Sequence, residues 1–85
     1  MPNIPNLSSL WDLSVGESAL VEGVEGDKVD AASQRLRDIG FREGQRATCL
    51  LTPGFGAPRV FAVGGATYSL DRAAAERVKV REPES

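Results

Sequence analysis

Histidine is absent from the 85-residue chain, and cysteine occurs once, as Cys49. Without them there is no zinc finger, iron–sulfur cluster, disulfide framework or histidine-based triad. Aromatic residues make up only 6% of the chain, too few for stacking platforms along a nucleic-acid strand. Long apolar runs are also missing: stretches such as Val60 to Val63 are far too short to cross a bilayer. The opening Met1-Pro2-Asn3-Ile4-Pro5-Asn6 has no basic residue and no apolar run behind it, so no signal peptide is expected. Together with a lone thiol, this predicts a soluble, cytoplasmic protein.

What is present suits one small domain. The 24 large apolar residues provide one modest core, and a chain of this length buries only about 60–65% of its unfolded surface. Ten Lys and Arg against twelve Asp and Glu leave a net charge of −2, a poor balance for displacing counterions from nucleic acid. The charge is segregated. Residues 1–30 carry six acids and one base, whereas residues 31–81 carry nine bases and four acids. Eight of the ten cations are arginine, whose planar fork suits carboxylates. This pattern fits either a solvated surface whose halves attract each other or a basic face for an acidic partner.

Residues 1–8, rich in Pro, Asn and Ser, read as a loosely held arm, residues 9–81 as the domain, and residues 82–85 as an acidic tail. Ala19 to Val24 is predicted as a first strand. From Lys28 to Gly40 the period changes, and Val29, Ala32, Leu36 and Ile39 recur at three- and four-residue steps, predicting a short amphipathic helix. Asp27 or Asp30 can cap its start. Gly40 and Phe41 fit a Schellman stop, with Phe41 placed to touch Leu36. The rest is strand and turn. Arg46 to Thr52 alternates, with Ala47, Cys49 and Leu51 on one side; the loop from Pro53 to Pro58 follows; Arg59–Val63 and Ala66–Leu70 form a hairpin about Gly64-Gly65. Asp71 caps one helical turn, and Val78 and Val80 lie on a fifth strand. The fold class is therefore mainly β: a small, strongly bent antiparallel barrel of about five strands with one inserted α-helix.

No catalytic constellation emerges. Gly54-Phe55-Gly56 and Gly64-Gly65 do not open a helix after a strand, as a nucleotide fingerprint requires. Thr48, Thr52 and Ser69 have no base beside them. Glu22, Glu25, Asp27 and Asp30 lack a recognised metal-ligand spacing and are better read as charge approaching a helix N-terminus. Cys49 reads as a small core hydrophobe. No enzyme activity, cofactor or permanently bound metal is expected. Exposed carboxylates hold zinc or ferrous iron weakly.

In order along the chain, Ser9-Leu10-Trp11-Asp12-Leu13-Ser14-Val15-Gly16-Glu17, Arg35-Leu36-Arg37-Asp38-Ile39-Gly40-Phe41-Arg42-Glu43-Gly44, Pro58 with the strand after it, Ser69-Leu70, and Ala75-Glu76-Arg77-Val78-Lys79-Val80 resemble the ferrous iron transport protein A (FeoA) family. The resemblance spans roughly residues 9–80. Three positions depart from the family's habit: Val15 stands where proline usually precedes the glycine, Ala57 replaces a common aspartate, and Asp71 stands where an arginine usually follows the leucine.

The resemblance implies an SH3-like barrel and an accessory role beside the membrane ferrous iron transporter, through contact with its cytosolic GTPase-bearing region or its core. The alternative of a different class is an SH3-like barrel that binds RNA or DNA, which the net charge and low aromatic content oppose. An iron carrier is opposed by the missing histidines. SH3-like barrels take extended segments between the first loop, the second loop and the short helical turn, which correspond here to Glu25–Glu43, Pro53–Pro58 and Asp71–Ala75. Within those elements Phe55, Arg37 and Arg42 are the expected partner-binding residues, because aromatic and arginine anchors dominate interface energies. Phe55 either stands out at its loop tip or folds back over the open end of the barrel.

Overall fold

In the computed structural model, residues 8–27 and 29–83 are described. The expected arm, apart from Ser8, therefore lies outside the described residues, as do Lys28 and the last two residues of the acidic tail. Five strands form one antiparallel sheet: β1 (Ser18–Val24), β2 (Arg46–Leu51), β3 (Arg59–Val63), β4 (Ala66–Leu70) and β5 (Val78–Arg81), in the order β4-β3-β2-β1-β5. Helix α1 (Ala31–Ile39) is inserted between β1 and β2, and α2 (Arg72–Arg77) joins the two edge strands. A 3₁₀ turn, Leu10–Asp12, precedes β1.

Alternation sets the inner faces. Ala19 and Val21 of β1, Ala47 and Cys49 of β2, Phe61 and Val63 of β3, and Val78 and Val80 of β5 enclose the core with Leu10, Leu13, Leu36 and Phe41. Register shifts interrupt two ladders, β1–β5 between Val21 and Gly23, and β2–β3 between Cys49 and Leu51. Such bulges bend a strand, and here they curve the sheet around its core. The second shift corrects an expectation. Leu51 does not share the inward face of Cys49; the extra residue turns it outward, and 57% of it is exposed.

Helix α1 begins later than its apolar spacing predicts. Asp30 is the N-cap, accepting from the N–H groups of Ala32 and Ser33, while Asp27 accepts from Val29 in the turn before. Val29 therefore falls outside the helix and is 88% exposed. One turn before Leu36 the inward residue is Ser33, not Ala32. Ser33 Oγ donates to the Glu25 carbonyl and accepts from Arg77 Nη1 at 2.8 Å, and Arg77 also pairs with Asp30. Gly26 makes this approach possible. A β-carbon there would overlap Ser33 Oγ and lie 2.9 Å from Asp30 Oδ2.

The helix stop is as expected. Gly40 sits at φ +126°, its N–H reaches the Arg37 carbonyl at 3.2 Å, and the Phe41 N–H reaches the Leu36 carbonyl at 3.1 Å. These are the two bonds of a Schellman motif, and both Leu36 and Phe41 are buried in the core.

Candidate functional site

The β2–β3 connection carries the least protected apolar surface among the described residues. Phe55 is fully exposed, at 110% of its reference area. Its φ of +63° and that of Gly56, +73°, shape a turn closed by the Ala57 N–H on the Gly54 carbonyl at 3.3 Å. A bulky side chain at positive φ is unfavourable by about 1–2 kcal/mol, and no packing offsets that cost here. Of the two readings of Phe55, the outward one describes the structure.

Phe55 has apolar neighbours along the chain and across the ladder. Leu50 and Leu51 end β2 with 37% and 57% of their surface exposed, and Val15 is 57% exposed. The Gly16 N–H donates to the Cys49 carbonyl at 2.8 Å, and the Cys49 N–H to the Glu17 carbonyl at 2.9 Å. These bonds set the Val15 turn beside the end of β2. Four of the five large hydrophobic residues found exposed therefore belong to one end of the barrel.

Arg37 and Arg42 are elsewhere. The Arg37 guanidinium turns inward, its Nη2 donating to the carbonyls of Val24 at 2.8 Å and Gly26 at 2.7 Å. Arg42 is exposed, and its Nε donates to the Arg37 carbonyl at 3.0 Å. Both flank Gly40, where a β-carbon would lie 3.7 Å from Val63 Cγ1, at the end of β3. Phe55 lies beyond the beginning of β3. Four residue steps separate those ends, about 13 Å of strand, so Phe55 and the two arginines stand at opposite ends of β3.

Arg59, the first residue of β3, was missed as an anchor by sequence reasoning. Its Nη1 donates to the Trp11 carbonyl at 2.6 Å, and its guanidinium lies 3.8 Å from the centroid of the Trp11 ring, with Arg72 at 5.8 Å. This cation–π contact ties the 3₁₀ turn to the start of β3. Cys49 is buried, and its pKa is pushed up by burial against a smaller opposing pull from Arg59. Its thiol is thus disfavoured as a nucleophile.

An open cleft of about 610 Å³ lies between the 3₁₀ turn and α2, lined by Asp12, Glu25, Glu76, Arg77 and Lys79 among others. It does not fit a metal. Lys79 pairs with Glu25 at 3.5 Å and Arg72 with Glu76 at 2.9 Å. Burial opposes ionisation of Asp12, but N–H donors from Ser8 and Ser9 outweigh it and keep its carboxyl below the ordinary value. Among the described residues no group of three or more His, Cys, Asp or Glu comes together. No helix among them is long and apolar enough to cross a membrane.

The bulged five-stranded antiparallel sheet, wrapped around one core with an inserted helix, defines a small SH3-like β-barrel domain. The FeoA domain profile matches residues 8–82, and the chain belongs to the FeoA family, small accessory proteins of ferrous iron transport with an SH3-like fold. It is similar to Stenotrophomonas maltophilia FeoA, solved with zinc and described as an SH3 domain protein and a candidate ferrous iron transport activating factor: 33% identity, TM-score 0.79, covering 86% of this chain and 88% of that one. An iron uptake regulatory protein, also a FeoA, is 28% identical with TM-score 0.73, over 85% of this chain and 92% of that one. A FeoA-like protein from Clostridium acetobutylicum, 16% identical with TM-score 0.79 over 96% and 93%, shares the fold. Among curated proteins no match is found.

Proposed function

We propose that the protein is a cytoplasmic accessory factor that binds the membrane ferrous iron transporter, at its cytosolic GTPase-bearing region or its core, and promotes Fe(II) uptake through that contact. The observation that carries this reading is the 33% identity, across 86% of the chain, to a FeoA described as a candidate transport activating factor. The end of the barrel formed by Phe55, Leu51, Leu50 and Val15 supports it as the contact surface. Burying a phenylalanine side chain contributes about 1.5–3 kcal/mol, and Phe55 gains none of that within the fold.

Arg42, exposed at the opposite end, offers a second, cationic contact, with Arg37 holding it in place through its carbonyl. Five of the eight arginines (Arg37, Arg42, Arg59, Arg72 and Arg77) are already engaged with backbone carbonyls, the Trp11 ring or acidic side chains. With a net charge of −2 over the whole chain, the balance remains poor for displacing counterions from nucleic acid.

The test is Fe(II) isotope uptake in cells from which this protein has been deleted. Uptake is expected to fall and to be restored by the wild type, but not by a folded Phe55→Ala, Leu51→Ser double variant. Unchanged uptake on deletion contradicts the proposal.

A further inference from the structure

The two edges of the sheet are treated differently. Along β5, Lys79 and Arg81 supply charge, and the chain before β1 covers the edge, with Ser9 bridged to Lys79 and the Val80 N–H donating to the Ser8 carbonyl at 3.2 Å. β4 has none of these protections. Its sequence Ala66-Thr67-Tyr68-Ser69-Leu70 contains no charge and no proline, and its ladder with β3 runs without a shift. Edges of that kind recruit further strands unless something prevents it.

The free hydrogen-bonding groups of β4 can be assigned. Val63 and Ala66 close a two-residue hairpin, and such a closing pair exchanges both of its backbone hydrogen bonds. Alternation then directs Tyr68 and Leu70 toward β3 and leaves the N–H and C=O of Thr67 and Ser69 pointing away from the sheet. Neither residue makes a backbone hydrogen bond outside the strand ladders among the described residues.

A groove of about 440 Å³ runs along this edge. Four consecutive β4 residues, Thr67 to Leu70, line it, so its wall is the strand's backbone edge rather than one face. The opposite wall is one stripe of α1: Ala32, Arg35, Leu36 and Ile39, at helical spacing. Arg35 is exposed, and its guanidinium makes no hydrogen bond or ion pair to any described residue. Asp71 at the groove's end is spent on the Ala74 N–H at 2.8 Å.

We infer that this groove binds an extended peptide segment of a partner protein, which adds to β4 as a sixth strand. The segment presents apolar side chains to Leu36, Ile39 and Tyr68 and an acidic side chain to Arg35. Backbone bonds to Thr67 and Ser69 fix its register, as in other strand-addition complexes. The occupant is a single segment and not a second copy, because a copy must bring its own β3 along with its β4 into a trough already walled by α1. The inference stands apart from the apolar end around Phe55 and holds whether or not the transporter supplies the segment.

The test is a titration of the ¹⁵N-labelled protein, followed by NMR, with acetyl-Val-Glu-Val-Glu-Val-amide and with its lysine counterpart. Binding near millimolar is expected, about −4 kcal/mol, with the acidic probe shifting the Thr67 and Ser69 amides and the basic probe binding at least about fivefold more weakly. Ser69→Pro removes an outward N–H at a position where an edge strand tolerates proline, and is expected to stay folded and lose the shifts. Arg35→Glu, which leaves the edge intact, is expected to reverse the preference between probes. The inference is overturned by absence of shifts up to about 5 mM, by shifts confined to other surfaces, or by equal affinity for both probes. Concentration-dependent broadening of Thr67 and Ser69 without peptide also overturns it, since a second copy then holds the edge.

Discussion

Phe55 is held where a large side chain is least comfortable, outside the core and at φ +63°. Asparagine tolerates that conformation better, and nothing in the fold packs on the ring. Phe55→Asn should therefore melt at the wild-type temperature or a few degrees above it. A clear drop in Tm would show that the ring supports the fold after all. Sequence reasoning could locate Phe55 between two glycines but could not choose between its outward and folded-back states. The same limit applied to Arg37. As a helical arginine near a stop it reads as surface charge, yet the carbonyls that receive it, of Val24 and Gly26, lie 13 and 11 residues earlier.

Elements were legible where a local rule decides them. Gly64-Gly65 names its hairpin, Asp71 its cap, and Leu36, Gly40 and Phe41 their Schellman stop. For Gly40→Ala the penalty is conformational, because the added carbon would meet Val63 only at ordinary contact distance, 3.7 Å. A loss of about 1–2 kcal/mol is expected, read as a Tm lowered by about 5 °C or more; an unchanged Tm contradicts the assigned stop. Less legible were Leu51, turned outward by a register shift between two strands, and Ser33, drawn inward by Glu25, Asp30 and Arg77. The first depends on the register of β2 against β3 and the second on partners 8 and 44 residues away, which periodicity along the chain does not display.

That network predicts a pH dependence for α1. The hydrogen bond from Arg77, with help from Ser33, holds the Asp30 carboxyl below its ordinary pKa. A carboxyl lowered by folding stabilises the native state above its unfolded pKa, and this contribution fades as pH falls through the lower, folded value. Asp30→Asn should thus be less stable than wild type at neutral pH, with the difference in Tm closing below about pH 4. A constant difference down to about pH 2 would place the stabilising interaction elsewhere.

At the scale of the molecule, charge and apolar surface are sorted. The expectation that the acidic first third and the basic remainder attract each other has particular partners: Asp30 with Arg77 and Glu25 with Lys79. The exposed apolar residues at the end of β2 are the surface we propose for the transporter. The most direct measurement is calorimetric titration of the detergent-solubilised ferrous iron transporter from the same organism with wild type, Phe55→Ala and, as a control for a lone exposed apolar residue, Val29→Ala. The account predicts saturable binding by wild type, equal binding by Val29→Ala, and binding about tenfold or more weaker by Phe55→Ala. Absence of binding by wild type, or equal affinity in all three proteins, would contradict it.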